Sequence, residues 1–87
     1  MMSNINMLHE LTIIIPTYER QKYVLRNMRF WSNKGPRVVV LDGSNAPLSD
    51  KDRRDLGLNI KYFHRPLPFN KRMKLAIEMI NTPYAVL

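Results

Sequence analysis

The first apolar run of the chain, LTIIIPTY from Leu11 to Tyr18, shows no alternation between apolar and polar positions. Such a run is typical of a strand buried on both faces, as in a parallel sheet covered by helices. Pro16 lacks the N–H that a strand ladder requires, so we predict a strand over residues 11–16 that ends at this proline. The polar residues after it then lie beyond the carboxyl end of the strand, where open α/β sheets bind ligands.

A helix and a second buried strand follow. Val24, Met28 and Trp31 recur at helical spacing, which predicts a helix from Gln21 to about Asn33, ended by a Gly-Pro pair. The run RVVVL over residues 37–41 predicts the second strand. The spacing between the two strands is close to that of a strand–helix–strand unit, which is parallel and right-handed.

The next segments have weaker patterns. Residues 48–57 predict a short helix with Ser49 or Asp50 as its N-cap and Gly57 as its end. Residues 58–63 alternate between apolar and polar positions, which predicts a half-exposed strand at a sheet edge.

A stronger helix is predicted over residues 69–80, ended by Thr82 and Pro83. We expect its apolar face to pack on the sheet and its charged face to point to solvent. The apolar face holds Phe69, Met73, Ala76, Ile77 and Ile80, and the charged face holds Lys71, Arg72, Lys74 and Glu78. Residues 84–87 begin a fourth apolar strand.

This order of elements predicts an α/β domain over residues 11–87, with a mostly parallel sheet flanked by helices, preceded by a lead-in at 1–10. Because the last strand stops soon after it starts, we expect the chain to be the N-terminal part of a longer protein.

The composition narrows the classes of function. The chain has no cysteine, which excludes disulfides, thiolate nucleophiles and cysteine-based metal sites. His9 and His64 lack metal-ligand spacing, and neither GxGxxG nor GxxxxGK[ST] occurs. The net charge of +7 suits an anionic partner, such as nucleic acid, acidic lipid headgroups or a phosphorylated small molecule, although a basic surface also serves solubility alone.

Candidate functional residues follow the first two strands. We expect the two strand ends to lie side by side, so that these residues share one edge of the sheet. They are Thr17, Tyr18, Glu19, Asp42, Gly43 and Ser44. Asp42 could accept a hydrogen bond from a nucleobase, and Tyr18 could stack on that base. In the alternative interpretation Asp42 begins an Asx-turn, Tyr18 packs on the sheet edge and Ser44 is a turn residue.

A second candidate feature is the basic cluster around the start of the last helix, formed by Arg65, Lys71, Arg72 and Lys74. A helix N-terminus with cations nearby suits an anion such as a diphosphate. The same cluster could equally be a solvated surface.

Three motifs taken together resemble the first half of an inverting family 2 glycosyltransferase of the GT-A fold. They are LTIIIPTY at 11–18, VVVLDGS at 38–44 and MKLAIEMINTPYAVL at 73–87. The resemblance covers about residues 11–87 and implies a Rossmann-like nucleotide-sugar-binding domain. The chain departs from the family pattern in two places: Leu41 replaces the first acid of an Asp-Asp-Gly-Ser motif, and Glu19 stands where Asn is frequent.

The resemblance implies roles for individual residues. Pro16, Thr17 and Tyr18 would border the nucleobase, and Asp42 would accept a hydrogen bond from it, commonly from uracil. Lys71 and Arg72 would approach the diphosphate.

For the longer protein, the resemblance implies transfer of a sugar from a nucleotide-sugar to an acceptor hydroxyl of a saccharide, lipid or protein. Mg²⁺ or Mn²⁺ would be held by an Asp-x-Asp motif after residue 87, and the catalytic base would lie further on. We therefore expect this segment to supply donor recognition without turnover. We expect a cytoplasmic location, with peripheral association at a membrane left open, and self-association through an unpaired strand edge.

Two other functions stay open. One is a small basic α/β module that binds RNA or DNA through the face from Arg65 to Lys74. The other is a structural or interaction fragment. The nucleotide-binding hypothesis depends on the first two strand ends being neighbours.

Overall fold

The computed structural model describes residues 10–82 and 84–87; the lead-in over 1–9, with His9, and the helix-ending role of Pro83 fall outside the described residues. The elements are β1 (Leu11–Thr17), α1 (Gln21–Trp31), β2 (Arg37–Asp42), α2 (Asp50–Arg53), β3 (Ile60–His64), α3 (Phe69–Glu78) and β4 (Tyr84–Val86). The four strands form one parallel sheet in the order β3-β2-β1-β4. The predicted α/β class is therefore confirmed, and the architecture is consistent with a Rossmann-like fold.

The sheet buries both of its faces, which explains the unbroken apolar runs of β1 and β2. On one face, residues of three strands pack with Val24 and Met28 of α1; they are Ile13, Val38, Val40 and Ile60. On the other face, Ala76 of α3 packs against a second set, Ile14, Val39 and Leu41. The two helices thus cover opposite sides of a central layer.

Strand β1 continues one residue beyond its predicted end. Pro16 lies within the strand, opposite Leu41, and the strand ends at Thr17. The carbonyl of Thr17 accepts from the next strand, so the main-chain groups of Pro16 point to the other side, toward β4. Since β4 pairs with β1 only as far as Ile13, the proline interrupts no ladder hydrogen bond.

The boundaries of the middle elements also differ from the prediction. Helix α2 is a single turn that ends at Arg53, four residues before Gly57. The predicted N-cap Ser49 is confirmed, because its hydroxyl accepts from the N–H of Asp52 at 3.2 Å. Strand β3 lies at an edge of the sheet, as predicted.

The predicted faces of α3 were partly wrong. Ala76 is buried as expected, but Phe69 and Ile77 are exposed and Arg72 is buried. The guanidinium of Arg72 finds acceptors at the end of the sheet, which removes the usual cost of burying a cation. The exposed ring of Phe69 lies next to this guanidinium, with its centroid 5.9 Å from Cζ of Arg72.

The sheet topology places a switch point beside β1. The chain runs outward from β1 to β2 and β3, and then returns through α3 to the opposite side of β1. Ligands of open α/β sheets bind at such a reversal, outside the carboxyl ends of the strands. Among the described residues, no helix combines the length and apolar character needed to cross a bilayer.

Candidate functional site

Three neighbouring strands end in register at one edge of the sheet. Thr17 of β1 pairs with Asp42 of β2, and Asp42 pairs with His64 of β3. The N–H of Gly43 donates to the carbonyl of Thr17 at 2.8 Å. The prediction that the first two strand ends are neighbours is therefore confirmed.

Three polar contacts hold this edge together: two join the loops after β1 and β2, and the third joins the loop after β2 to β3. The N–H of Glu19 donates to Oγ of Ser44 at 2.6 Å, and Oε2 of Glu19 accepts from the N–H of Asn45 at 2.8 Å. Nε2 of His64 lies 2.6 Å from the carbonyl oxygen of Ser44. Glu19 adopts a left-handed conformation, with φ of 52°, that brings its main chain to Ser44. The two loops thus form one polar unit above the ends of the strands.

The carboxylate of Asp42 lies at the centre of this unit and is fully buried. Its Oδ1 accepts from the N–H of Ser44 at 2.9 Å, which is the Asx-turn of the alternative interpretation. Its Oδ2 accepts from the hydroxyl of Tyr62 at 2.5 Å and from Nε2 of Gln21 at 3.1 Å. Burial by itself would raise the pKa of Asp42, but the hydrogen bonds from Ser44, Tyr62 and Gln21 outweigh it and lower that pKa. The carboxylate is therefore ionised at neutral pH.

Two of these donors also make a second contact. The hydroxyl of Tyr62 accepts from the N–H of Leu48 at 2.9 Å. Burial and the donated hydrogen bond to Asp42 raise the pKa of Tyr62 to about 12. Nε2 of Gln21 also donates to the carbonyl of Ala46 at 2.6 Å.

Arg72 carries a buried positive charge to the same end of the sheet. Its Nη1 donates to the carbonyls of Thr17 at 2.5 Å and Leu41 at 3.3 Å, and its Nε donates to the carbonyl of Leu67 at 3.1 Å. The side chain is only 6% exposed. No carboxylate within the described part of the chain forms an ion pair with it.

One nitrogen of this guanidinium, Nη2, has no hydrogen-bond partner among the described residues. The side chain as a whole is enclosed by protein. A cation of this kind, without an acid beside it, is suited to an anionic ligand.

The other predicted site residues differ in placement. Pro16 is half-buried within β1, and Tyr18 is 57% exposed, so its ring is open to a ligand and does not pack on the sheet edge. Lys71 is exposed on α3, and within residues 10–82 and 84–87 no side-chain hydrogen bond or ion pair joins it to the others. The structure thus brings together the strand-end residues and Arg72, but not Lys71.

Sequence reasoning missed Gln21, Tyr62 and His64. A signal existed for Tyr62 and His64, because they lie in or directly after the predicted third strand, and the carboxyl ends of parallel strands share one edge of a sheet. For Gln21 no local pattern indicates the role, since its partners Asp42 and Ala46 lie more than twenty residues away.

The resemblance places the ligands of the Mg²⁺ or Mn²⁺ ion after residue 87. In the part of the chain that the structure describes, no group of three or more His, Cys, Asp or Glu side chains could hold a metal ion. No step of a reaction is therefore assigned to a metal bound by these residues.

Comparison with known proteins adds no information about the family or function of this chain. No family model matches the sequence, and no match was found among curated proteins or solved structures.

Proposed function

We propose that this chain binds the nucleoside diphosphate of a nucleotide-sugar, with UDP as the favoured nucleotide, and is the donor-binding part of an inverting glycosyltransferase of the GT-A fold. The observation that carries the proposal is the pairing of Thr17 with Asp42 at the carboxyl ends of neighbouring parallel strands. That edge is where α/β sheets of this kind bind nucleotides.

Asp42 is the acceptor for the base in this proposal. Its carboxylate is ionised, and its Oδ2 already takes two donors, from Tyr62 and Gln21. Because Asp42 is fully buried, the side chain of Gln21 has to move aside for the N3–H of uracil to take its place at Oδ2. The exposed ring of Tyr18 is available to stack on the base.

Arg72 is the group for the diphosphate. Its charge is enclosed by protein, where screening by water is weak, and its Nη2 makes no hydrogen bond to the described residues. Charge-assisted hydrogen bonds from a guanidinium to phosphate oxygens are stronger than those between neutral groups. Lys71, one residue earlier, lies on the exposed face of α3 and is not part of this group.

The chemical step lies outside the described residues in this proposal. An acceptor hydroxyl of a saccharide, lipid or protein attacks the anomeric carbon, whose bond to the diphosphate oxygen breaks. The hydroxyl proton passes to a base, and the nucleoside diphosphate leaves with the bonding electrons. The base and the Mg²⁺ or Mn²⁺ ion that the resemblance implies are assigned to no residue of this chain.

Calorimetric titration with UDP and CDP tests the proposal. Uracil carries a hydrogen on N3 and cytosine does not, so a carboxylate that reads this position prefers UDP, by about tenfold for one charged hydrogen bond. Asp42→Ala should weaken UDP binding by about 1–3 kcal/mol, whereas Asp55→Ala, at an exposed acid outside the site, should leave it unchanged.

Two results would contradict the proposal: equal affinities for UDP and CDP, or UDP binding that does not depend on Asp42. If Asp42→Ala fails to fold, Gln21→Met provides the second test. It removes the donor that competes with uracil, so UDP affinity should hold or increase.

Binding of RNA or DNA through the face from Arg65 to Lys74 stays a prediction. The burial of Arg72 leaves three exposed cations on that face, namely Arg65, Lys71 and Lys74. A gel-shift titration at two salt concentrations separates the two functions, because phosphate-backbone binding weakens steeply with salt.

A further inference from the structure

The net positive charge of this protein is concentrated in one segment. From Arg20 to Arg37 the chain has six cations and no acid, whereas the rest of the chain has eight cations against seven acids. Helix α1 lies in the middle of this segment. Nearly all of the excess charge therefore surrounds one helix.

The exposed side of α1 combines cations with aromatic rings. We define the basic-aromatic face as the exposed residues Lys22, Tyr23, Arg26, Phe30 and Lys34. Tyr23 is 62% exposed and Phe30 is 57% exposed, although both are large apolar side chains. Tyr23, Arg26 and Phe30 follow one another at intervals of three and four residues, which keeps them on one side of α1, while the buried Val24 and Met28 pack on the sheet. Lys34 follows the end of the helix and joins this side through the ring of Phe30.

Each ring of this face lies beside a cation. Cζ of Arg26 is 5.8 Å from the ring centroid of Tyr23, and Nζ of Lys34 is 4.6 Å from that of Phe30. Phe30 also meets Trp31 edge to face, with the ring centroids 5.1 Å apart. The rings are thus held at the surface with positive charges around them, and they form no part of either core.

Arg29 lies at the border of this face. It lines one surface depression with Lys22 and Arg26 and a second one with Lys51, Asp52 and Asp55, so it has both cations and acids nearby. The remaining cations, Lys22, Arg26 and Lys34, have no acid in their own segment of the chain.

We propose that the basic-aromatic face binds the surface of a bilayer that contains anionic phospholipids. The cations of the face are attracted to the negative headgroups. Aromatic rings on the same side favour the headgroup level of a bilayer, which lies between water and the apolar acyl chains. Nucleic acid fits less well, since one side of each ring already has a cation over it where a base would stack. The residues of this face are not those assigned to the nucleotide, although Lys22 and Tyr23 line one surface depression with Glu19 and Gln21 of the strand-end site.

Co-sedimentation with vesicles tests the proposal, using the full 87-residue chain. Vesicles of phosphatidylcholine and phosphatidylserine at a molar ratio of about 2 to 1 should bind the protein, with affinity that decreases as salt is added, whereas vesicles of phosphatidylcholine alone should not. The single tryptophan, Trp31, touches Phe30 and gives a second readout, because its emission should shift to shorter wavelength as the rings enter the interface.

A pair of matched double variants locates the surface. Arg26→Glu with Lys34→Glu should weaken binding to the anionic vesicles at least about tenfold. Lys61→Glu with Lys74→Glu makes the same change in net charge at two exposed cations elsewhere and should have much less effect. Phe30→Ser should abolish the emission shift. Circular dichroism establishes that each variant is folded, and Arg26→Gln with Lys34→Gln replaces the first pair if it is not.

Three results would overturn the proposal. The first is equal loss of binding in the two double variants, which would mean attraction by net charge alone. The second is no binding to the anionic vesicles at low salt. The third is binding of a single-stranded RNA oligonucleotide that the Arg26 and Lys34 changes abolish while vesicle binding persists.

Discussion

The guanidinium of Arg72 lies against the main chain of Gly43, so close that a Cβ atom at position 43 would stand 2.8 Å from Cζ of Arg72. The same Cβ would be 2.9 Å from both Nε and Nη1. Only a residue without a side chain leaves room for the buried cation here. The loop after β2 and the start of α3 are therefore fitted to each other at this point.

Gly43→Ala should lower the free energy of unfolding by about 1–3 kcal/mol, measured by urea denaturation. The added methyl group would displace the guanidinium and weaken its hydrogen bonds to the carbonyls of Thr17 and Leu41. In an Arg72→Ala background the same change should cost much less, because nothing is left to displace. An equal cost in both backgrounds would contradict the contact between Gly43 and Arg72.

Arg72→Lys should also destabilise the fold, by about 1–3 kcal/mol. An ammonium group is a point charge and cannot reproduce the fork through which Arg72 reaches the carbonyls of Thr17, Leu41 and Leu67. Arg54→Lys, at an exposed position, is the matched control and should change stability by less than about 0.5 kcal/mol. Similar losses in the two variants would contradict the structural role of Arg72.

Asp42 should contribute a loss of stability in acid. Its pKa in the folded protein is lower than the ordinary value of 3.8, so its ionised form is stabilised by folding. That contribution is present above 3.8 and is lost as the pH falls from there through the folded pKa. Urea titrations between about pH 5 and about pH 2 should show a smaller acid-dependent loss in Asp42→Asn than in wild type. Asp55→Asn should retain the wild-type pH dependence.

Tyr62 should contribute a loss of folding stability at alkaline pH. Its pKa rises from the ordinary 10.0 to about 12 on folding, so its stabilising contribution is complete below pH 10.0. The contribution is lost as the pH rises from 10.0 to about 12, because the unfolded chain then releases the proton first. Tyr62→Phe should reduce this alkaline loss of stability. In an ultraviolet absorbance titration of the four tyrosines, the last to ionise should be the one that this variant removes.

The sequence predicted the fold best where a pattern of apolar residues has only one physical explanation. The unbroken apolar runs of β1 and β2 indicate burial on both faces, and helices do cover both faces of the sheet. The helix between them indicates a parallel unit, so its two strand ends had to share an edge. The adjacency of Thr17 and Asp42 followed from that alone.

The sequence was least informative where a side chain depends on partners far along the chain. A charged residue on an amphipathic helix is expected in solvent, yet Arg72 is buried because main-chain carbonyls of β1 and β2 meet its side chain. The position of Pro16 inside β1 depends in the same way on a distant partner, since it lies opposite Leu41 of β2. Neither fact is visible in the residues nearby.

The acceptors of Arg72 are carbonyl oxygens of the main chain, which every amino acid possesses. Substitution of Thr17, Leu41 or Leu67 by another residue that keeps the backbone path leaves all of these acceptors in place. The buried charge itself therefore sets no requirement on the side chains at those three positions, and Leu41 is restricted instead by its place in the core. Changes at positions 43 and 72 would be coupled, since a side chain at the first displaces the guanidinium of the second.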